Sequence, residues 1–273
     1  MFSAVTISLV PEARGGPFVF WEDLAAGCAK AAAMGFDAVE IFPRSASELD
    51  AALVKKLLTQ HKLKLAAMGT GAGWVVQKLR LTDPDAAVRI KARAFIGSIV
   101  DLAGGFGAPA IIGSMQGRFE GSVSRDQALG WLCEALEELG SRAQGHGVPL
   151  LFEPLNRYET NLVNTVADGV TLLKPLKTKN VKLLCDLYHM NIEEASIADA
   201  LRTGGKVVGH VHFADSNRHA IGWGHTDMAP IVQGLRDIGY AGYLSAEILP
   251  LPDGDAAAKQ TVTSFRKLIP NQT

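Results

Sequence analysis

The sequence has few cysteines and no long apolar run, and both absences limit what the protein can be. Its three cysteines, Cys28, Cys133 and Cys185, are too few and too scattered for a disulfide framework or a thiolate zinc site. No apolar stretch reaches the roughly 18 residues that span a bilayer. The N-terminal segment has no cation before Arg14, unlike a secretory signal. We therefore expect a cytoplasmic protein without a membrane partner.

Neither sign of charge is in excess. The 27 Lys and Arg balance 28 Asp and Glu, which gives a formal net charge of −1 and a pI of about 6.7. A protein that coats nucleic acid needs a basic surface, so we expect no nucleic-acid partner. The same balance argues against an endonuclease IV-like phosphodiesterase, which would also need more histidine ligands than the seven histidines present provide.

Short apolar runs alternate with longer segments of helical period. Most of these runs lack polar alternation, as do strands buried on both faces of a parallel sheet. The strict alternation of predicted strands and helices along the chain predicts an α/β fold, a single (β/α)₈ TIM barrel over residues 1–273. A doubly wound open sheet is the main alternative, but no G-x-G-x-x-G turn follows the first strand. The predicted strands are residues 4–10, 37–42, 63–68, 108–113, 148–153, 181–186, 207–213 and 243–248, and the predicted helices are residues 21–34, 46–60, 84–104, 124–146, 166–176, 193–203, 228–238 and 255–268.

Capping residues mark one helix in particular. Asp83 is a candidate N-cap with Pro84 at the first helical position, and Gly104-Gly105 is placed to end the helix in a left-handed turn. The long connection before it, residues 69–82, would lie at the C-terminal face of the barrel, where long loops are usually functional. Trp74 in this connection, and Trp223 in a later loop, could pack over a sugar or could belong to the core or to a lid.

Metal-capable side chains lie at or near the C-terminal ends of the last four predicted strands. They are Glu153, Asp186, His212 and Glu247. Because the carboxyl ends of barrel strands converge on one mouth, we expect these side chains to lie together. A salt bridge or a helix cap explains one such carboxylate, but four residues in register favour a shared metal. Three carboxylates and one imidazole suit a divalent ion, Mn²⁺ first, with Mg²⁺ or Co²⁺ as alternatives.

Two loop residues near the predicted mouth have both a functional and a structural interpretation. His189, three residues beyond Asp186, could donate to a substrate hydroxyl or relay a proton. It could equally be a loop histidine that orients Glu193 or Glu194. Arg218, in the loop after the seventh strand, could clamp a substrate oxygen or could be only a solvated charge.

Two further polar residues belong to predicted strands. His210 shares a face with His212 one layer deeper, and we expect it to be a hydrogen-bonded core histidine. Glu40 ends the second strand, away from the four metal-capable residues. We expect it to brace the barrel mouth rather than bind metal.

Four strings in the second half of the chain are distinctive: EPLNRYE (153–159), DLYHMNIEE (186–194), HVHFADSNR (210–218) and SAEI (245–248). With them, the chain resembles the ketose 3-epimerase family, the tagatose/psicose 3-epimerase group of xylose isomerase-like TIM barrels. The similarity covers nearly the whole chain and is dense from 150 to 250. The longer strings, the GWGHTD loop and the GTG after the third strand look closer to a branch that acts on keto-sugar acids, such as 5-keto-L-gluconate epimerases.

The sequence departs from the tagatose-type pattern at two pairs of residues. It has Leu187-Tyr188 where Thr-Phe is usual, and Asp215-Ser216 where Glu-Ala is common. We expect both pairs at the pocket wall, where they would affect the identity of the substrate and leave the metal site unchanged.

The resemblance implies a role for each candidate residue. The four residues at the strand ends would hold the metal, and two of them, Glu153 and Glu247, would also act as the acid/base pair. Contacts to the substrate oxygens near the reacting carbonyl would come from Glu159, His189 and Arg218.

These residue types fit proton transfer next to a carbonyl. Removal of that proton needs a base and stabilisation of the enediolate, which a chelated divalent ion can provide. The sequence therefore predicts an isomerase, a metal-dependent sugar epimerase whose partner is a small-molecule ketose or keto-sugar acid. The alternatives that stay open are an aldose–ketose isomerase like hydroxypyruvate or xylose isomerase, an inosose dehydratase, and a non-catalytic sugar-binding barrel. The chain could also form a homo-oligomer.

Overall fold

The strands form one closed, parallel sheet in the computed structural model, which describes residues 1–21 and 23–270. Eight of them make the barrel, and the last pairs with the first from Phe2↔Tyr243 to Val5↔Ala246. A short additional strand pairs with the end of the first strand. The strands are β1 (Phe2–Ser8), β2 (Phe20–Trp21), β3 (Ala38–Phe42), β4 (Lys64–Gly69), β5 (Ala110–Ile112), β6 (Leu150–Phe152), β7 (Val181–Asp186), β8 (Val208–His212) and β9 (Tyr243–Ala246).

Helices connect the strands and cover the outside of the barrel. Within the described residues, none of them is both long and apolar enough to cross a membrane. They are α1 (Leu24–Met34), α2 (Ala51–His61), α3 (Ala72–Gln77), α4 (Ala86–Gly104), α5 (Arg125–Gly145), α6 (Val166–Leu173), α7 (Leu187–Glu193), α8 (Ile197–Gly204), α9 (Met228–Asp237) and α10 (Gly254–Leu268).

The TIM barrel predicted from the sequence is confirmed, and every predicted strand and helix is present with ends shifted by a few residues. Among the described strands and α-helices, three short elements are additional. The strand β2 occupies the start of the predicted helix 21–34, and α3 lies inside the long 69–82 connection. The third, α7, follows β7 without a loop because Asp186 both ends the strand and caps the helix, accepting a hydrogen bond from the backbone of Tyr188.

The predicted caps of α4 are wrong. The N-cap is Asp85, which accepts a hydrogen bond from the Ala87 amide, so Pro84 precedes the helix. The Asp83 carboxylate instead accepts hydrogen bonds from the Asp85 amide, ahead of the helix, and from Arg80. At the other end Gly105 has φ −61°, and the left-handed conformation appears only at Gly107, with φ +69°.

The barrel interior changes from apolar to polar along its axis. Small side chains from three strands, Ala4, Ala38 and Ala66, form a cluster of their own with Tyr243, apart from the main core under the helices. A second interior cluster contains Ala67, Ile111, Leu151 and Leu184. Because side chains alternate along a strand, the next inward positions toward the C-terminal ends are two residues further on. On five of the strands that position holds a buried polar side chain, namely Thr6, Glu40, Glu153, Asp186 and Ser245.

Thr6 joins the two ends of the closed sheet. Its buried hydroxyl donates to the Ala246 carbonyl at 2.9 Å and accepts from the Val19 amide at 3.1 Å. Thr6→Val keeps the side-chain shape but leaves these buried groups unpaired, so we expect a loss of about 1–3 kcal/mol in the free energy of unfolding, measured in urea. The matched control is Thr263→Val on the exposed face of α10, which should change stability by less than about 0.5 kcal/mol. Equal stability of the two variants would contradict this role of Thr6.

Candidate active site

The four metal-capable residues lie together at the C-terminal mouth of the barrel. Asp186 and His212 are the last residues of β7 and β8, while Glu153 and Glu247 directly follow β6 and β9. His212 Nδ1 is 3.4 Å from an oxygen of Glu153, 3.4 Å from one of Asp186 and 3.5 Å from one of Glu247. One donor atom from each residue lies within 4.8 Å of the other three. The structure thus gathers residues that are nearly a hundred positions apart in the chain.

This cluster concentrates negative charge in a buried place. All four side chains are buried. Burial, together with the Glu153 and Asp186 charges, raises the pKa of Glu247 to about 8, although His212 and Arg218 oppose this shift. Burial would lower the pKa of His212, but the surrounding carboxylates outweigh it and hold that pKa well above its usual value. The cluster therefore favours an additional positive charge at its centre.

The same four residues fit a divalent ion. Donor atoms 3.4–3.5 Å apart have the spacing of neighbouring ligands around one ion with bonds of about 2.1 Å. Glu153 Oε1 is buried and has no hydrogen-bond partner among residues 1–21 and 23–270, a costly state for a carboxylate oxygen unless a cation binds it. Three oxygen donors and one imidazole suit Mn²⁺, Mg²⁺ or Co²⁺.

Glu40 lies beneath this cluster and is bonded to it, which corrects the expectation that it stands apart. Its carboxylate accepts from His212 Nε2 at 3.0 Å and from His210 Nε2 at 2.7 Å. All three side chains are fully buried, and His210 is the hydrogen-bonded core histidine expected from the sequence. Burial alone would raise the pKa of Glu40, but the two histidines lower it well below its usual value. With Nε2–H of His212 committed to Glu40, its Nδ1 is left to face the three carboxylates.

His189 is held in one orientation by Asn156, a residue that sequence analysis missed. The Asn156 backbone and side-chain nitrogens lie 3.3 and 2.7 Å from His189 Nδ1. Because these groups donate, Nδ1 accepts, and the ring proton of the neutral imidazole is on Nε2. Nε2 lies 3.8–4.0 Å from oxygens of Asp186 and Glu153, so it faces the metal-capable cluster. The alternative partners, Glu193 and Glu194, bond instead to Arg157 and to the backbone of residue 166.

Arg218 is a largely buried part of the site and not a solvated charge, since only 16% of its side chain is exposed. Its guanidinium lies 2.5 Å from Glu247, 3.5 Å from Asp186 and 3.7 Å from Glu159. Its Nε is buried without a hydrogen-bond partner within the described chain. The backbone has φ +59°, a conformation that is unfavourable for a side chain of this kind and is found preferentially at functional sites. The arginine can therefore donate to a bound molecule while neutralising Glu247.

A cavity of about 390 Å³ opens above these groups. Glu153, Glu247, Glu159, His189 and Arg218 line its polar side. The opposite wall comes partly from the segment between β1 and β2, residues 10–18, which contributes Glu12 and Arg14 as well as apolar side chains such as Phe18. This segment carries no motif that sequence analysis could have recognised. Further apolar residues of this wall include Phe42, Trp74 and Val75.

The two pairs expected at the pocket wall do not line this cavity within the described chain. Asp215 is buried, and its carboxylate accepts hydrogen bonds from the amides of residues 216, 222 and 226. It therefore organises the loop that carries Arg218. Leu187 is buried in the core, and Tyr188 places its ring under the Arg218 guanidinium at 4.8 Å. Trp223 is partly exposed outside the cavity, whereas Trp74 lines it.

Known proteins resemble this chain over most of its length. Residues 28–268 match the family model described as xylose isomerase-like TIM barrel. The chain is 30% identical over 264 residues to the L-ribulose 3-epimerase of Methylomonas sp. (strain DH-1), which covers 93% of this chain and 90% of that protein. It is 33% identical over 224 residues to the D-psicose 3-epimerase of Agrobacterium fabrum, covering 80% of this chain and 76% of that protein.

A solved structure gives the same fold. The crystal structure of a D-psicose 3-epimerase in the presence of D-fructose matches with a TM-score of 0.82, over 99% of this chain and all of that one, at 24% identity. The matched family model and the two curated relatives agree with the resemblance found in the sequence. The chain therefore belongs to the ketose 3-epimerase family of xylose isomerase-like TIM barrels and is an enzyme of the isomerase class.

Proposed function

We propose that this enzyme inverts the carbon next to the ketone of a ketose or keto-sugar acid by proton transfer through an enediolate. The observation that carries the proposal is the placement of Glu153 and Glu247. Their carboxylates line the same cavity and lie within 4.8 Å of each other. They come from β6 and β9, strands that do not pair with each other, so they approach a bound sugar from different sides of the mouth.

A planar intermediate between two carboxylates explains inversion. One glutamate takes the proton next to the carbonyl, and the other delivers a proton to the opposite face. Glu153, Asp186, His212 and Glu247 would hold the divalent ion, Mn²⁺ in our proposal, which polarises the carbonyl and stabilises the developing oxyanion when bound. His189 Nε2–H and the unpaired Arg218 Nε are donors for substrate oxygens, and Glu159 beside them is an acceptor.

The relatives favour epimerisation over the alternatives. Two of them are named as 3-epimerases of L-ribulose and D-psicose, which supports carbon 3 of a ketose as the reacting centre. An aldose–ketose isomerase would move the carbonyl, and a dehydratase would expel water. A non-catalytic sugar-binding barrel would have no need of two acid/base groups beside one ion.

The first test is removal of the metal. Chelator-treated protein should lose C3 epimerisation of D-psicose, L-ribulose and D-fructose, because the enediolate oxygen loses its counter-charge. Addition of Mn²⁺ or Co²⁺ should restore turnover and raise the melting temperature, since an ion that binds only the folded state stabilises it. Products are identified by NMR, which distinguishes an inverted ketose from an aldose or a dehydrated product.

Two results would contradict the proposal. Full activity in protein shown by elemental analysis to be metal-free would exclude the metal-assisted route. An aldose or a dehydrated product, formed in place of the C3 epimer, would assign the site to one of the alternative reactions.

The second test concerns Glu40. Glu40→Gln keeps the size of the side chain but replaces one acceptor oxygen with an NH₂ group, so it cannot accept from both histidines. We expect Mn²⁺ affinity to fall about 10–100-fold, as when the hydrogen-bond partner of a ligating histidine is removed. Affinity is measured by chelator competition and by the metal-induced rise in melting temperature.

The control for Glu40→Gln is Glu48→Gln, at an exposed carboxylate paired with Arg44 on the surface. This variant should bind Mn²⁺ like the wild type. If Glu40→Gln also binds Mn²⁺ with wild-type affinity, Glu40 does not position His212 for a metal.

A further inference from the structure

A second cavity adjoins the one above the metal-capable residues. It has a volume of about 290 Å³ and shares Trp74, Ser114 and Glu159 with the first cavity. The first cavity alone already lies within the range of about 300–1,000 Å³ that is typical of small-molecule sites. The second cavity is therefore additional space, beyond the volume that the reacting end of the sugar would occupy. Its remaining walls come from Arg80, Gly117, Arg118 and Tyr158.

Arg118 is the unusual residue of this second cavity. Its side chain is half-buried and has no ion-pair or hydrogen-bond partner in the part of the chain that the structure describes. Its backbone is nevertheless firmly held. The buried Thr82 hydroxyl lies 3.2 Å from the Arg118 carbonyl, the Thr160 hydroxyl donates to the Gly117 carbonyl at 2.7 Å, and Asn161 bonds both backbone groups of residue 119.

The other charges of the cavity are already compensated. Arg80 pairs with Asp83 at 2.9 Å and with Glu120 at 2.5 Å. Glu159 lies 3.7 Å from Arg218 on the side of the first cavity. A half-buried guanidinium without a counter-ion on a fixed backbone favours an anionic ligand, because desolvation of a cation is offset by pairing with an anion.

Two aromatic side chains complete the second cavity. Trp74 lines both cavities, and Tyr158 is 78% exposed, which is unusual for so large an apolar surface. Aromatic faces can cover the C–H groups of a sugar while leaving its hydroxyls to polar neighbours. The arrangement thus suits the carbon chain of a sugar that ends in a charged group.

We propose that the second cavity is a subsite for an anionic group, a carboxylate or a phosphate, at the end of the keto-sugar remote from the metal ligands, and that Arg118 binds this group. The inference rests on the proposed function and narrows its substrate class to acidic or phosphorylated ketoses. Arg118 acts here in substrate selection and takes no part in proton transfer.

The test uses three ketoses that differ only at carbon 6: D-fructose, its 6-carboxylate D-fructuronate, and D-fructose 6-phosphate. With the Mn²⁺-loaded enzyme we expect kcat/KM for the carboxylate or the phosphate to exceed that for D-fructose at least about tenfold, as for a hydrogen-bonded charge pair. The sugar with the higher kcat/KM of the two shows whether the subsite binds a carboxylate or a phosphate. Arg118→Gln should bring this ratio close to one, and Arg118→Lys should retain part of it.

The matched control is Arg93→Gln, since Arg93 pairs with Glu138 between α4 and α5, outside both cavities. It should leave the ratio unchanged. A wild-type ratio near one, a ratio that survives Arg118→Gln, or an equal fall for charged and neutral sugars in that variant would overturn the subsite.

Calorimetric binding of the same three sugars to the Mn²⁺-loaded Glu153→Gln variant separates this inference from the proposed function. If the variant binds the anionic sugars more tightly than D-fructose and this preference depends on Arg118, the subsite is supported. Failure of the enzyme to epimerise any of the three sugars would then contradict only the proposed function. A loss of the preference in binding, with epimerisation of D-fructose intact, would contradict only the subsite.

Discussion

The burial of three carboxylates around one imidazole is the constraint on which the rest of the site depends. Like charges at this spacing repel strongly where water is excluded, so the fold must supply compensating charge. Arg218 supplies part of it from above, against Glu247, in a backbone conformation that is itself unfavourable. Asp215 holds the loop that imposes this conformation. Because this compensation is incomplete, the cluster still lacks positive charge, and a divalent cation bound within it is favoured.

The barrel interior supports this arrangement from below. Small alanines near the N-terminal end allow the strands to pack closely, and the next inward residues form the polar layer that contains Glu40 and His210. This layer fixes the ring of His212 through its Nε2, as Asn156 fixes the ring of His189 through its Nδ1. His212 thus presents a defined nitrogen to the three carboxylates, and His189 presents one to the cavity. Such preorganisation matters because a loosely held ligand or donor must be ordered during each reaction cycle.

Much of the fold and of the candidate site was predictable from the sequence, since barrel strands are continuous apolar runs and their carboxyl ends meet at one mouth. Strand order alone brings Glu153 and Glu247 together. The contact between Glu40 and His212 was not predictable, although alternation in β3 places Glu40 on an inward face. This contact crosses the barrel between β3 and β8, which do not pair with each other. The relative positions of these two strands along the barrel axis are fixed only when the whole sheet closes. Cavity walls built from loops, including Arg118, likewise depend on tertiary packing.

If two glutamates act on opposite faces of an enediolate, the reacting carbon must exchange its proton with solvent. When the Mn²⁺-loaded enzyme converts a ketose in D₂O, the inverted carbon of the product should carry deuterium while the ketone stays in place. Glu153→Gln and Glu247→Gln should each abolish full epimerisation, and one of them should still exchange the proton of a single epimer. An epimerised product formed in D₂O without deuterium at that carbon would contradict the two-base mechanism and would require transfer of hydrogen without solvent exchange.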